Sequence, residues 1–233
     1  NGTMTARWPK NKLITNDKIT PGDVIVGLSS AGQATYESAY NSGIGSNGLT
    51  SARHDMFSKM YAEKYPQSFD SALSEDVVYI GNHLLTDAIN GLPSDINAGK
   101  LVLSPTRTYA PILKEILESS FDDVHGLIHC SGGGQTKCLK YLPAPMKVVK
   151  DNFFEVPPVF NLIQDASKSD DKEMLQVFNM GCRMEIYTTA DRAEKMIEIS
   201  QKFGVDAKII GKVESCDKKC LDIHLNGNIY SFG

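Results

Sequence analysis

The sequence predicts a layered α/β/α domain around a mixed sheet, an α+β arrangement within the α/β class. Three observations predict it. Over residues 109–213, short β-branched runs alternate with stretches of helical period. Residues 24–28 (VIVGL) form an apolar run between Gly22-Asp23 and Ser29-Ser30-Ala31-Gly32, the pattern of a buried strand. The chain closes with two alternating runs, 221–225 and 229–232, around Asn226-Gly227, the strongest short hairpin signal.

The elements follow in order. Residues 2–8 (GTMTARW) alternate like the end of a strand, so the chain reads as a fragment entered partway. Residues 1–20 are then the remnant of an upstream domain or a linker strand, and 21–233 are the main domain. Residues 29–48, rich in Gly, Ser and Asn, form a long functional loop. In residues 50–65, Met56, Phe57, Met60 and Tyr61 recur at helical spacing and predict one amphipathic helix. Residues 66–99 lack a period and read as an insertion lying over the surface. A helix is expected over 109–119, a strand over 124–130, a short helix over 135–141 and a strand over 147–150. Beyond these come a helix over 159–166, a strand over 183–188, a helix over 191–203 and a strand over 207–213.

The composition excludes several classes. The chain has 233 residues with 24 basic and 28 acidic side chains, a net charge of −4. Hydrophobic residues make up 41% and charged residues 22%, which fits a globular domain and neither disorder nor coiled coil. Mild acidity argues against a nucleic-acid partner. No apolar run approaches the ~20 residues that span a bilayer, so no membrane partner is expected. Five cysteines, an odd number, do not suggest a disulfide framework. Cys216 and Cys220 form a C-x3-C pair that could be half a zinc site, but no second close pair accompanies it. Free thiols in the reducing cytoplasm, with no metal ligands in this chain, are the expectation.

Three stretches carry candidate chemistry. The strand through His125 and His129 empties into Ser131-Gly132-Gly133-Gly134 and a short helix. Its outward N–H groups form a candidate phosphate cradle, or the glycines simply allow a tight turn. Spaced four apart, the two histidines share a strand face. His129, at the mouth of the loop, reaches the crevice at the strand's end, or is a packed residue like His125. Ser46-Asn47-Gly48 leads into a helix carrying Arg53; these are anion-binding donors or an ordinary N-cap. Ser104-Pro105-Thr106-Arg107 is a third such turn, with Arg107 aimed at an anion or clamping a neighbouring carboxylate.

In order, G-D-V-I-V-G-L, S-S-A-G, S-N-G-L-T-S-A-R, S-P-T-R-T-Y, H-C-S-G-G-G, V-P-P-V-F and F-N-M-G-C-R-M resemble the C-terminal domain of the aminoimidazole ribonucleotide synthase family. Members of that family are phosphoribosylformylglycinamidine cyclo-ligases. The resemblance runs from about residue 20 to about 213. It implies an ATP-dependent ligase of purine biosynthesis that activates the amide oxygen of formylglycinamidine ribonucleotide and closes the imidazole ring as phosphate leaves. It also implies a cytoplasmic homodimer, a small ribonucleotide as partner, and ATP with Mg2+ held mainly by an N-terminal domain outside this chain. Ring closure needs anion donors and a proton acceptor, and the matching positions are His129, the glycine loop, Arg53 and Arg107.

The chain departs from the family at two places. The family's unbroken S-S-G-x-H-S-N-G is interrupted here by residues 33–45, with Gly45 where the histidine is expected, and residues 66–99 exceed the compact form. The divergent loop leaves room for a related ATP-dependent kinase or synthetase. A catalytically silent scaffold domain is the reading from another class.

Overall fold

The computed structural model describes residues 3–46 and 48–233. Strands β1 (Val24–Ser29), β2 (Gly126–His129), β3 (Lys147–Lys150), β4 (Cys182–Thr188), β5 (Ala207–Glu214), β6 (Cys220–Leu225) and β7 (Asn228–Phe232) form one seven-stranded sheet, in the order β2-β4-β1-β5-β3-β6-β7. Every pairing is antiparallel except β3 with β6, so the sheet is mixed as expected.

The helices are α1 (Leu49–Met56), α2 (Met60–Lys64), α3 (Ala98–Val102), α4 (Ala110–Ser120), α5 (Cys138–Tyr141), α6 (Pro158–Ser167), α7 (Asp171–Val177) and α8 (Ala190–Lys202). α1, α3, α6 and α7 bury Met56, Leu101, Phe160 and Leu175 in the larger core, together with Ile25 and Tyr187 of the sheet. α4 and α8 bury Ile112, Ile116 and Met196 against Val26, Leu28 and Ile186 in the second core. The layers are therefore α/β/α. β1 runs through the middle, which is why its sequence is an unbroken apolar run. Ile25 enters one core, and Val26 and Leu28 enter the other. Each such side chain contributes about 1.5–3 kcal/mol by burial.

Four expectations change. Residues 3–9 form no strand; they lie exposed ahead of a single 3-10 turn at Lys10–Lys12, and no neighbouring strand pairs with them. Residue 2, where that predicted alternation starts, lies outside the described residues.

The single helix predicted over 50–65 is broken into α1 and α2. The carbonyls of His54, Met56 and Phe57 accept from the N–H groups of Ile80, His83 and Gly81, which takes the last turn of α1 out of helical continuation. For the same reason, residues 66–99 are more than a surface cover: Val78, Tyr79, Ile96 and Ala98 are buried in the larger core. α3 and α7 were not expected at all.

The helix after the glycine run is short. A 3-10 turn at Gly134–Lys137 precedes the four residues of α5. The terminal hairpin matches its signal, with Asn226 (φ 53°) and Gly227 (φ 79°) both left-handed, as a type I′ turn requires.

Candidate functional site

Arg183 occupies an irregularity in β4. Leu28 pairs with Met184 and Ser29 with Cys182, so Arg183 has no partner on β1. Bulges of this kind re-aim a side chain. The arginine is 1% exposed. Its Nη2 donates to the carbonyls of Gly43 (2.6 Å) and Ile44 (2.8 Å). Among the described residues, Nε and Nη1 are buried with no hydrogen-bond partner. Burial presses its pKa below the ordinary value and Arg107 adds to that, while Tyr109 and Cys130 oppose the shift. An uncompensated buried charge typically costs about 3–5 kcal/mol, a penalty that an incoming anion relieves.

Gly45 covers that guanidinium. At φ +59°, a β-carbon on residue 45 would stand 2.6 Å from Nη2 and 2.7 Å from Nη1 of Arg183, and 2.7 Å from Thr106 Oγ1. A side chain such as the histidine of the family pattern is thus excluded sterically at residue 45 while Arg183 lies there. Neighbouring Thr106 is exposed, and its Oγ1 accepts from the Ser46 N–H at 3.1 Å. Ser46 caps no helix, because α1 opens behind Gly48 without a side-chain cap. Asn47 lies outside the described residues.

His129 ends β2 opposite Met184, and the next amide, Cys130 N–H, donates to the Arg183 carbonyl at 2.6 Å. Its ring sits edge-on to Tyr109 with centroids 6.3 Å apart. Burial pulls its pKa down to about 4, helped by the charges of Arg183 and Lys137. That lies well below the ~6.5 of an ordinary histidine. At neutral pH the imidazole is uncharged.

The remaining predicted residues divide. Gly132 and Gly133 stay exposed beside His129, while Gly134 is buried and its N–H donates to the Ser131 carbonyl at 2.9 Å. A β-carbon on Gly134 would meet the Leu175 carbonyl at 2.4 Å, so this glycine serves close packing on α7. Behind it stand a 3-10 turn and the four-residue α5, within the span 135–141 where a short helix was expected.

Arg107 is a clamp. It is buried, with Nε and Nη2 on the two Glu37 carboxylate oxygens (2.9 and 2.8 Å) and Nη1 on the carbonyls of Ser29 and Ala31. That commits its donors within the protein and organises the long first loop. Arg53 is likewise tied down, Nη1 donating to the Ser68 carbonyl at 2.7 Å, which straps α1 to the following segment.

Sequence reasoning missed Arg183 itself. Its signal was an arginine inside the strand run C-R-M-E-I-Y-T, where a charge needs a reason. A buried pair beneath the loop was missed as well. Lys150 Nζ meets Glu185 Oε1 at 2.5 Å, and Tyr187 donates to Glu185 Oε2 at 2.9 Å. Lys150 also holds the carbonyl and the side-chain oxygen of Gln135, each at 2.9 Å, fixing the turn after the glycines to the sheet.

Residues 20–223 match the family described as AIR synthase related protein, C-terminal domain. The chain belongs to that family. Among its relatives, the phosphoribosylformylglycinamidine cyclo-ligase of Methanococcus vannielii is 34% identical over 213 residues, covering 91% of this chain and 50% of the relative. The cyclo-ligase of Methanocaldococcus jannaschii is 30% identical over 227 residues, 97% of this chain and 53% of the relative. The chain thus spans about half the length of these relatives. Among solved structures, T. maritima PurL complexed with FGAR aligns at TM-score 0.49 and 16% identity, over 95% of this chain and 29% of that one.

Among the described residues, no group of three or more His, Cys, Asp or Glu side chains stands ready to hold a metal. Nor is any helix among them long and apolar enough to cross a membrane.

Proposed function

We propose that this AIR synthase related domain is the substrate-side half of an ATP-dependent cyclo-ligase. The reaction closes the imidazole ring of formylglycinamidine ribonucleotide to give aminoimidazole ribonucleotide in purine biosynthesis. Family membership and the relatives' names support the reading. The observation that carries it is the buried guanidinium of Arg183, whose Nε and Nη1 have no hydrogen-bond partner among the described residues, together with the uncharged His129 whose pKa that guanidinium depresses. Ring closure releases phosphate from an activated amide oxygen as a nitrogen attacks, so the site needs a fixed cation and a proton acceptor. Arg183 is the cation: its unpaired Nε and Nη1 favour charge that grows on the departing oxygens. His129, uncharged at neutral pH, accepts the proton of the attacking nitrogen. The exposed residues Ser46, Thr106, Gly132 and Gly133 would offer small polar groups and backbone donors to the ribonucleotide.

ATP supplies the phosphoryl group that activates the amide. With no metal-ready cluster of His, Cys, Asp or Glu among the described residues, we assign ATP and Mg2+ to the other half of the enzyme, and the homodimer contact with them. A cytoplasmic setting suits five cysteines that are all free thiols.

The test is ring closure by the enzyme that contains this domain. Arg183→Met should lower kcat/KM by about 10²–10³-fold, the loss typical of removing one fixed stabilising donor. Near-normal turnover in that variant would overturn the reading. The 233-residue chain alone should show no turnover.

A further inference from the structure

Cys216 and Cys220 face each other across the turn that joins β5 to β6. Their sulfurs are 3.3 Å apart and not bonded. A disulfide bond is about 2.05 Å long, so closure asks the turn for roughly 1.2 Å of movement. Both thiols are half-buried and reach solvent, whereas Cys130, Cys138 and Cys182 are enclosed in the core. Charges of both signs flank the pair: Asp217 acts on Cys216 and Asp222, ion-paired to Lys147, acts on Cys220. Lys218 and Lys219 lie between the cysteines, and Lys147 is the cross-strand partner of Cys220. Cys220 also borders an open cavity of about 660 Å³ with Lys147, Lys172 and Lys218, which gives a small oxidant or reductant access.

The two sulfurs differ. The Lys218 N–H and the Cys220 thiol draw the Cys216 pKa below its ordinary value, whereas burial raises that of Cys220. One sulfur is poised to attack and the other to resolve. Half a zinc site is the competing use of such spacing, but no third ligand joins the pair among the described residues.

We propose that Cys216 and Cys220 form a redox-responsive dithiol that a hydroperoxide converts to an intramolecular disulfide. The Cys216 thiolate attacks the outer oxygen of ROOH; the O–O bond breaks and the alkoxide leaves, taking a proton to become ROH. Cys220 then attacks the sulfenic sulfur; the S–S bond forms, the S–O bond breaks and water leaves. The two thiols lose two electrons and two protons, and the hydroperoxide is reduced to alcohol and water. A small dithiol reverses the step by thiol–disulfide exchange. In a reducing compartment, such a reversible bond is the form cytoplasmic disulfides usually take. This inference stands apart from the ligase reading, since it uses neither Arg183 nor His129.

The experiment treats the reduced full chain with graded hydrogen peroxide, with free glutathione as the reference thiol, and reads intact and peptide masses. The expected product has lost two hydrogens, linked between Cys216 and Cys220, at peroxide doses that leave Cys130, Cys138 and Cys182 reduced. In Cys220→Ser, Cys216 should be trapped as a sulfenic acid by dimedone, at least about tenfold faster than Cys220 in Cys216→Ser, as the more thiolate-like sulfur reacts first. A pair that stays reduced when glutathione is fully oxidised overturns the proposal, as does first oxidation at any other cysteine. Because the wild-type mass reading needs no substitution, a poorly folding variant leaves the test intact.

Discussion

The guanidinium of Arg183 fills the space that a side chain on residue 45 would occupy, 2.6 Å from the β-carbon position of Gly45. One position is empty because the other is full. A β4 irregularity and the core hold the guanidinium in that place.

That exclusion predicts coupling between the two positions. Gly45→His should destabilise the wild type by about 1–3 kcal/mol through overpacking. A residue with a β-carbon at φ +59° adds backbone strain. In an Arg183→Gly background the same change should cost distinctly less. Urea unfolding of the four proteins measures the coupling, and strictly additive effects would show that the two residues do not compete for space.

His129 predicts a pH dependence with a definite sign. Its pKa is about 4 in the folded protein, against roughly 6.5 when unfolded. Between these values the unfolded chain binds the proton first, so stability falls as pH drops from about 6.5 towards 4 and is unaffected above that window. His129→Gln should remove this component and flatten the difference in melting temperature between pH 7 and pH 5. A histidine ring that titrates near 6.5 by NMR in the folded chain would contradict the account.

The two histidines of the β2 segment should separate by readout. His125 Nδ1 lies 2.9 Å from both oxygens of the buried Asp23 carboxylate, so His125→Ala removes a partner from a buried group that otherwise accepts from the Thr20 N–H. It should cost about 1–3 kcal/mol, with kcat of the whole enzyme little changed. His129→Ala should instead lower kcat by about 10²–10⁴-fold with the fold retained. If His129→Ala changes only the melting temperature, His129 is a packing residue.

Beneath the glycine loop, Lys150 and Glu185 are fully buried partners. Lys150→Met alone should cost about 3–5 kcal/mol by leaving a carboxylate unpaired, and Lys150→Met with Glu185→Leu should recover much of that. Calorimetric melts of the two variants decide it; a double variant no better than the single would mean the pair adds net stability.

Local pattern made most of the fold readable. β3 coincides with its predicted residues 147–150, and the Asn226-Gly227 turn falls where the dipeptide placed it. α7 was readable but overlooked: Asp170 accepts from the Glu173 N–H at 2.8 Å, an N-cap with an acidic residue three positions on. The break between α1 and α2 was not readable, because its cause lies in residues 80–83, distant in sequence. The same holds for the site. Arg107 read as either an anion donor or a carboxylate clamp, and the clamp could be chosen only once the fold brought Glu37, 70 residues away, against it. Arg183 was visible only as a charge inside an apolar strand, and its missing partner is a property of the folded packing alone.

The central claim is that Arg183 makes an anion site next to His129. Titrating inorganic phosphate into the 233-residue chain, with the His129 ring and the backbone amides followed by NMR, tests it most directly. The account predicts that phosphate raises the His129 pKa from about 4 and moves the amides of Gly45, Gly132 and Gly133 first, and that Arg183→Met abolishes both effects while the remaining spectrum stays folded. Phosphate shifts confined to other residues, or an unchanged response in folded Arg183→Met, would contradict it.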